Sequence, residues 1–327
     1  MRVLLVKLSS LGDVIHNLPV ASDLALALPG VEIDWAIETP YAEIVAMHPA
    51  IRSVIGVPLR ALKKNLTSSA AWRPFLAARK QLSTQTYDAI LDTQGLVKSA
   101  WISHWPQSPN GPIYGHAPAS AREPFAARFY DQTFDVPRAM HAVERNRLLA
   151  ARAFGYASDL PLNYGLAAPK RELGGTPSKL TVVFLHATSR ADKMWPAQNW
   201  IELGKRLSDR NIAVTLPWGN EAERVISLRI AEKIPQSLVP AKLTLMAAAQ
   251  LLAGAVAVVG VDTGLAHLAA ALGRPTIGIY LSTDPALTGL HGGATVVNLG
   301  GGTRDASNPP TVDAVWRALT AQIEAAR

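Results

Sequence analysis

Runs of branched apolar residues alternate along the chain with stretches whose apolar residues recur every three or four positions. "RVLLVKL" (2–8) leads into an amphipathic stretch, "VEIDWAI" (31–37) into "PYAEIVAM" (40–47), and "YDAILDT" (87–93) into "GLVKSAWIS" (95–103). Near-continuous apolar strands followed by helical periodicity mark βαβ units, in which a parallel sheet is covered on both faces. The rhythm breaks at "GPIYGHAPASAREPFAARFYDQTF" (111–134), whose three prolines and two glycines predict a long functional loop. A second break at about 161–178, with three prolines and the pair Gly174-Gly175, predicts a linker.

The pattern then restarts. "LTVVFLHA" (180–187), "NIAVTLP" (211–217), "AVAVVGVD" (255–262) and "RPTIGIY" (274–280) read as strands, with helices expected from about Ala197, Glu221 and Thr263. The tail "TVDAVWRALTAQIEAAR" (311–327) places Val312, Val315, Leu319 and Ile323 on one helical face. The expectation is an α/β chain of two similar domains, 1–168 and 169–327, with the helix 311–326 a candidate to pack back on the first. Ligands in open parallel sheets bind at the carboxyl ends of strands, so each domain carries a candidate site there.

Composition changes this picture only at the margins. Among 327 residues 49% are hydrophobic and 17% charged, which describes a packed fold rather than a disordered chain. No apolar run approaches the roughly 18 residues of a membrane span, and "MRVLLVKLSS" reads as a first strand rather than a signal peptide. The absence of cysteine excludes disulfides, thiolate metal sites and thiol nucleophiles. A net charge of +7 leaves nucleic acid, an anionic membrane surface and phosphorylated substrates as candidate partners. The basic residues are densest in "LRALKK" (59–64) and "RPFLAARK" (73–80), without the aromatic interleaving of an RNA-binding motif, so nucleic acid is not expected.

Four strand ends carry candidate chemistry. After 2–8 come Ser9, Ser10, Gly12 and Asp13. Ser and Asp there suit a helix cap, which a negative charge stabilises by about 0.3–1 kcal/mol. The cap is the commoner role for such a residue, but the helix dipole keeps the carboxylate ionised as a general base requires, and Gly12 allows close approach of a ligand. In "FLHATSRADKMWP" (184–196), Thr188, Ser189 and Lys193 combine hydroxyls, amides and an ammonium as a phosphate site requires, or form a capped turn with a surface lysine. In "VVGVDTGLAHLAAALGRPTIGIY" (258–280), Asp262, Thr263, Gly264 and His267 gather at one strand end, where the amides suit a pyrophosphate. "LPWGNEAER" (216–224) offers Glu221 or Glu223 to ribose hydroxyls, the choice being open. No D-x-D, P-loop or G-x-S-x-G motif occurs.

With these residues in view, the chain resembles the bacterial lipopolysaccharide heptosyltransferases, on the side that adds the first heptose. "VKLSSLGDVIHNLP", "DTQGLVKSA", "AREPFAARFY", "HAVERNR", "FLHATSRADKMWP", "LPWG" and "GVDTGLAHLAAAL" carry the resemblance over essentially the whole chain. It implies a GT-B fold, two Rossmann-like domains facing a central cleft, with the acceptor bound by the first and the donor by the second. It also implies inverting transfer from ADP-L-glycero-β-D-manno-heptose to the first Kdo of Kdo2-lipid A, with no cofactor and no metal. The enzyme would be a monomer, peripheral on the cytoplasmic face of the inner membrane. By the same resemblance Asp13 is the catalytic base, and Thr188, Ser189, Lys193, Glu223, Leu243, Asp262, Thr263, Gly264 and His267 hold the donor. Ser189 stands where the family often has Thr, and Leu243 where relatives carry Met. Ser10, Gly12, Arg60, Lys64, Lys98, Arg122 and His141 are the candidates to hold the anionic acceptor, arginine being able to grip a carboxylate with two parallel bonds.

Overall fold

A computed structural model describes residues 1–108, 111–167, 180–188, 190–301 and 309–325. The chain divides into two compact units, Met1–Leu166 and Ala167–Arg327. Most of the expected linker, 168–178, lies outside the described residues.

The first unit contains strands β1 (Arg2–Val6), β2 (Glu32–Ile37), β3 (Ile51–Gly56), β4 (Ala89–Asp92), β5 (Ile113–His116) and β6 (Gln132–Phe134), ordered β3-β2-β1-β4-β5-β6. Every pairing is parallel. The second contains β7 (Thr181–Leu185), β8 (Ala213–Thr215), β9 (Ser237–Leu238), β10 (Ala257–Val261), β11 (Thr276–Tyr280) and β12 (Val296–Gly300), ordered β12-β11-β10-β7-β8-β9, again all parallel. Both are the doubly wound order, in which the chain reverses direction across the sheet beside its first strand. The reversals fall between β1 and β4 and between β7 and β10.

The central strands are apolar because helices cover both their faces. Val3, Leu4, Leu5 and Val6 of β1 and Val258, Val259 and Val261 of β10 are fully buried. The C-terminal helix Val312–Ala325 buries Val312, Val315, Leu319 and Ile323 in the core of the second unit, alongside Val259, Ile277 and Ile279. Its apolar face is taken up there.

The stretch 111–134 is also not one loop. It supplies β5, a 3-10 turn at Pro124–Phe129, and β6. Gly115 reads as a breaker but is a close-packing position: a Cβ there would stand 2.2 Å from the Tyr130 ring.

Candidate active site

At the reversal point of the first sheet, β1 ends and the chain turns into the short helix Leu11–Ile15 with Ser10 as its N-cap. Asp13 is the third helical residue of a capping box: its Oδ2 accepts from the Ser10 amide and hydroxyl, both at 2.8 Å. Oδ1 is the oxygen that this box leaves unengaged. The cap therefore occupies one oxygen of the carboxylate and not the other.

Gln94, after β4, holds the end of β1 in place. Its Oε1 accepts from the Leu8 amide at 2.6 Å and its Nε2 donates to the Ser9 carbonyl at 3.1 Å. Gly95 follows with φ +66°, a conformation that favours glycine. Its carbonyl accepts from the Glu123 amide at 2.9 Å, which docks the Arg122-bearing loop against the turn. Glu123 Oε2 in turn accepts from the Val97 amide at 2.7 Å, at the start of the helix Val97–Ser103 that carries Lys98.

These elements enclose a recess of about 790 Å³ lined by Ser9, Ser10, Asp13, Arg60, Gln94, Leu96, Val97, Lys98, Trp101, Arg122 and Glu123. Three cations, Arg60, Lys98 and Arg122, share it with the two carboxylates. Arg60 is oriented by Tyr41, whose hydroxyl accepts from Nη1 at 2.7 Å beneath the ring contact at 5.4 Å. Of the expected acceptor residues, Ser10, Arg60, Lys98 and Arg122 line this recess, while Gly12, Lys64 and His141 do not. Lys64 is exposed at the end of the helix Leu59–Lys64. His141 is the N-cap of the helix Ala142–Phe154, accepts from the Val143 amide, and meets the His16 ring edge-on at 5.4 Å.

Sequence reasoning passed over Gln94 and Lys7. Lys7 is buried, its Nζ donating to the Thr93 carbonyl at 2.9 Å and to Asn146 Oδ1 at 3.4 Å. Burial pushes its ammonium down, against the opposing pull of the Asp13 and Asp92 charges. The one available signal was a lysine inside an otherwise apolar strand run.

Asp262, at the end of β10, is paired with Lys193 Nζ at 2.6 Å, accepts from the Thr283 hydroxyl at 2.9 Å, and lies 3.6 Å from His267 Nε2. Burial alone would raise its pKa. The hydrogen bonds from His267 and Lys193, with the Lys193 charge, outweigh burial and hold the carboxyl well below the usual range. Asp262 immediately precedes Thr263, the N-cap of the helix Gly264–Ala271, so Lys193 is held near the amides that open that helix. Thr188 follows β7 in the same loop system, and Ser189 lies outside the described residues.

Glu221 and Glu223 separate clearly. Glu221 turns to Arg224 at 2.7 Å on the surface. Glu223 folds back on the end of the strand segment, accepting from the Gly219 amide and from Asn220 Nδ2, each at 2.7 Å. Its neighbour His186 donates to or accepts from Ser227 Oγ at 2.7 Å and is pushed down to about 4 by burial. Leu243 is half-buried just before Thr244, the N-cap of the helix Leu245–Ala253.

Residues 75–308 match the model of glycosyltransferase family 9 (heptosyltransferase). The chain belongs to glycosyltransferase family 9. It is also 44% identical over 301 residues to lipopolysaccharide heptosyltransferase 1 of Pseudomonas aeruginosa, covering 90% of this chain and 83% of that relative. Among solved structures, Escherichia coli heptosyltransferase WaaC with ADP superposes with a TM-score of 0.89 at 38% identity, over 98% of this chain and 100% of that one. WaaC with ADP-2-deoxy-2-fluoro heptose gives 0.85 at the same identity, covering 98% and 99%. The family 9 chain is thus a glycosyltransferase, and its two sheets are those of the GT-B fold.

Proposed function

We propose that this family 9 enzyme moves L-glycero-D-manno-heptose from ADP-heptose to the first Kdo of Kdo2-lipid A, with inversion and without a metal. The observation that carries the reading is the recess at the β1/β4 reversal, where the free oxygen of Asp13 shares one pocket with Arg60, Lys98 and Arg122. Three cations suit an acceptor that bears carboxylate and phosphate groups. The donor assignment draws support from the ADP and ADP-heptose analogue held by the similar WaaC structures.

In this reading the acceptor hydroxyl attacks the anomeric carbon as its proton passes to Asp13. The bond from that carbon to the β-phosphate oxygen breaks, and ADP leaves with the negative charge. With no D-x-D pair in the sequence, Lys193 and the amides around Thr263 and Gly264 stabilise that charge. Glu223 takes the ribose hydroxyls, Leu243 meets the adenine, and Thr188 and Ser189 flank the phosphates. The acceptor would be met on the cytoplasmic face of the inner membrane, with the enzyme a peripheral monomer. No helix of the described residues is long and apolar enough to cross a membrane.

The test pairs Asp13→Asn with Lys193→Gln in an ADP-release assay and in donor calorimetry. Asp13→Asn is expected to lose turnover by about 10²–10⁴-fold while binding donor normally. Lys193→Gln is expected to weaken donor binding. Undiminished turnover in Asp13→Asn ends the base assignment. ADP release with a once-heptosylated acceptor but not with Kdo2-lipid A moves the enzyme to the second heptose.

A further inference from the structure

We propose that the face formed by the helices Leu59–Lys64 and Ser69–Ser83, continued by Trp101, docks on an anionic phospholipid bilayer. This rests on the reading of the adjoining recess as the site of a lipid-borne acceptor. It assigns the membrane contact to particular side chains.

From Val57 to Tyr87 the chain contains no Asp or Glu, yet it carries Arg60, Lys63, Lys64, Arg73, Arg79 and Lys80, all exposed. The helix Ser69–Ser83 buries Phe75, Ala78 and Leu82 against the first unit's core. Its outer side exposes Trp72 (39%) and Leu76 (50%), four residues apart and therefore neighbours on the helix surface. Arg79 and Lys80 come one turn later, and Leu66, in the preceding turn, is also exposed. A tryptophan and leucines ringed by cations, without one carboxylate, are what an interfacial helix presents to anionic headgroups.

The Trp72 indole N–H is already satisfied, donating to the Leu66 carbonyl at 2.7 Å. What the ring leaves outside is its apolar surface. Beneath the surface, a chain of rings links Trp72 to the recess. Trp72 meets Phe75 edge-on at 5.8 Å, Phe75 stacks on Trp101 at 6.3 Å, and Trp101, which is 46% exposed, lines the recess. A second copy of the chain is a poor occupant, because a symmetric contact would set six cations against six cations. Anionic headgroups neutralise the cations while the acyl boundary takes up Trp72 and Leu76.

The test is flotation of the full chain with phosphatidylcholine vesicles, with and without phosphatidylglycerol. Two variants avoid every residue assigned to the recess: Trp72→Ser with Leu76→Ser, and Arg79→Gln with Lys80→Gln. The wild-type chain is expected to float only with the anionic vesicles. The charge variant should lose roughly fivefold in partitioning for each charge removed. The apolar variant should lose flotation, and brominated acyl chains should quench the emission that Trp72→Phe removes. Both double variants should keep wild-type kcat on an acyl-free, water-soluble Kdo acceptor and show a raised KM on vesicle-embedded Kdo2-lipid A. Three results overturn the proposal: no flotation of the wild-type chain, variants that float like it, or a wild-type dimer that these substitutions dissociate. A chain that floats as expected but transfers no heptose to the soluble acceptor leaves the docking face standing and removes the transfer reading.

Discussion

Asp13 follows β1 and Asp262 follows β10, each strand lying beside the reversal point of its own sheet, and the surroundings of the two carboxylates differ. Asp13 has one oxygen committed to Ser10, with cations spread around the recess it lines. Asp262 is saturated by Lys193, Thr283 and His267, which makes it a holder of a cation rather than an acceptor of a proton. Asp262→Asn removes the counter-charge from a largely buried ammonium. It should cost about 2 kcal/mol of stability, read by urea unfolding without ligand. It should also weaken ADP binding, because Lys193 loses the contact that positions it. Unchanged ADP affinity would mean that Lys193 is positioned by something else. At this scale the sequence placed both acids beside strand ends, but Glu221 and Glu223 were indistinguishable in it. Both precede the same helix, and only the back-bonding of Glu223 to Gly219 separates them.

The recess is assembled by elements rather than by one motif. Gly95 is the joint: its left-handed backbone lets the Arg122 loop dock, and an added Cβ would stand 3.3 Å from the Arg122 amide. Gly95→Ala should cost about 1–2 kcal/mol from the backbone alone. Because the loop must shift, KM for the acceptor should rise while the dissociation constant for ADP stays unchanged, a split that steady-state kinetics and calorimetry together reveal. Strands β1, β2, β4, β7, β8, β10 and β11 were legible because burial on both faces demands apolar runs. The outer strands β3, β5, β6, β9 and β12 were not singled out. Strands such as β12, with Asn298 and Gly300 exposed, carry mixed patterns that local sequence cannot tell from loop.

Across the molecule, three buried histidines tie stability to pH. Burial lowers His48 and His186 to about 4 and His116 to about 3. An unfolded chain binds these protons from about pH 6.5 downward, while the folded chain resists until near pH 4, so stability is complete above the unfolded value and falls through that window. His48 is the clearest case. Its Nδ1 accepts from the Ala50 amide and its Nε2 lies 3.0 Å from Ser22 Oγ, so a second ring proton would break the Ala50 bond. Unfolding by guanidinium at pH 7 and pH 4.5 should show a pH-dependent loss that His48→Gln reduces by about 2–3 kcal/mol. A variant with the same pH slope as the wild-type chain would rule out His48 as a source of it.

The sequence by itself determined the parallel α/β class and the candidate acids and cations that follow its strands. Apolar periodicity and local capping chemistry are properties of neighbouring residues, and they survive without any knowledge of the fold. Only the tertiary structure decided that Gln94, Gly95 and Glu123 join to set Arg122 and Lys98 around Asp13, and that Lys7 is buried. Those outcomes depend on residues 26 and 86 positions apart in the chain being brought together by the fold, and no local pattern encodes such a meeting.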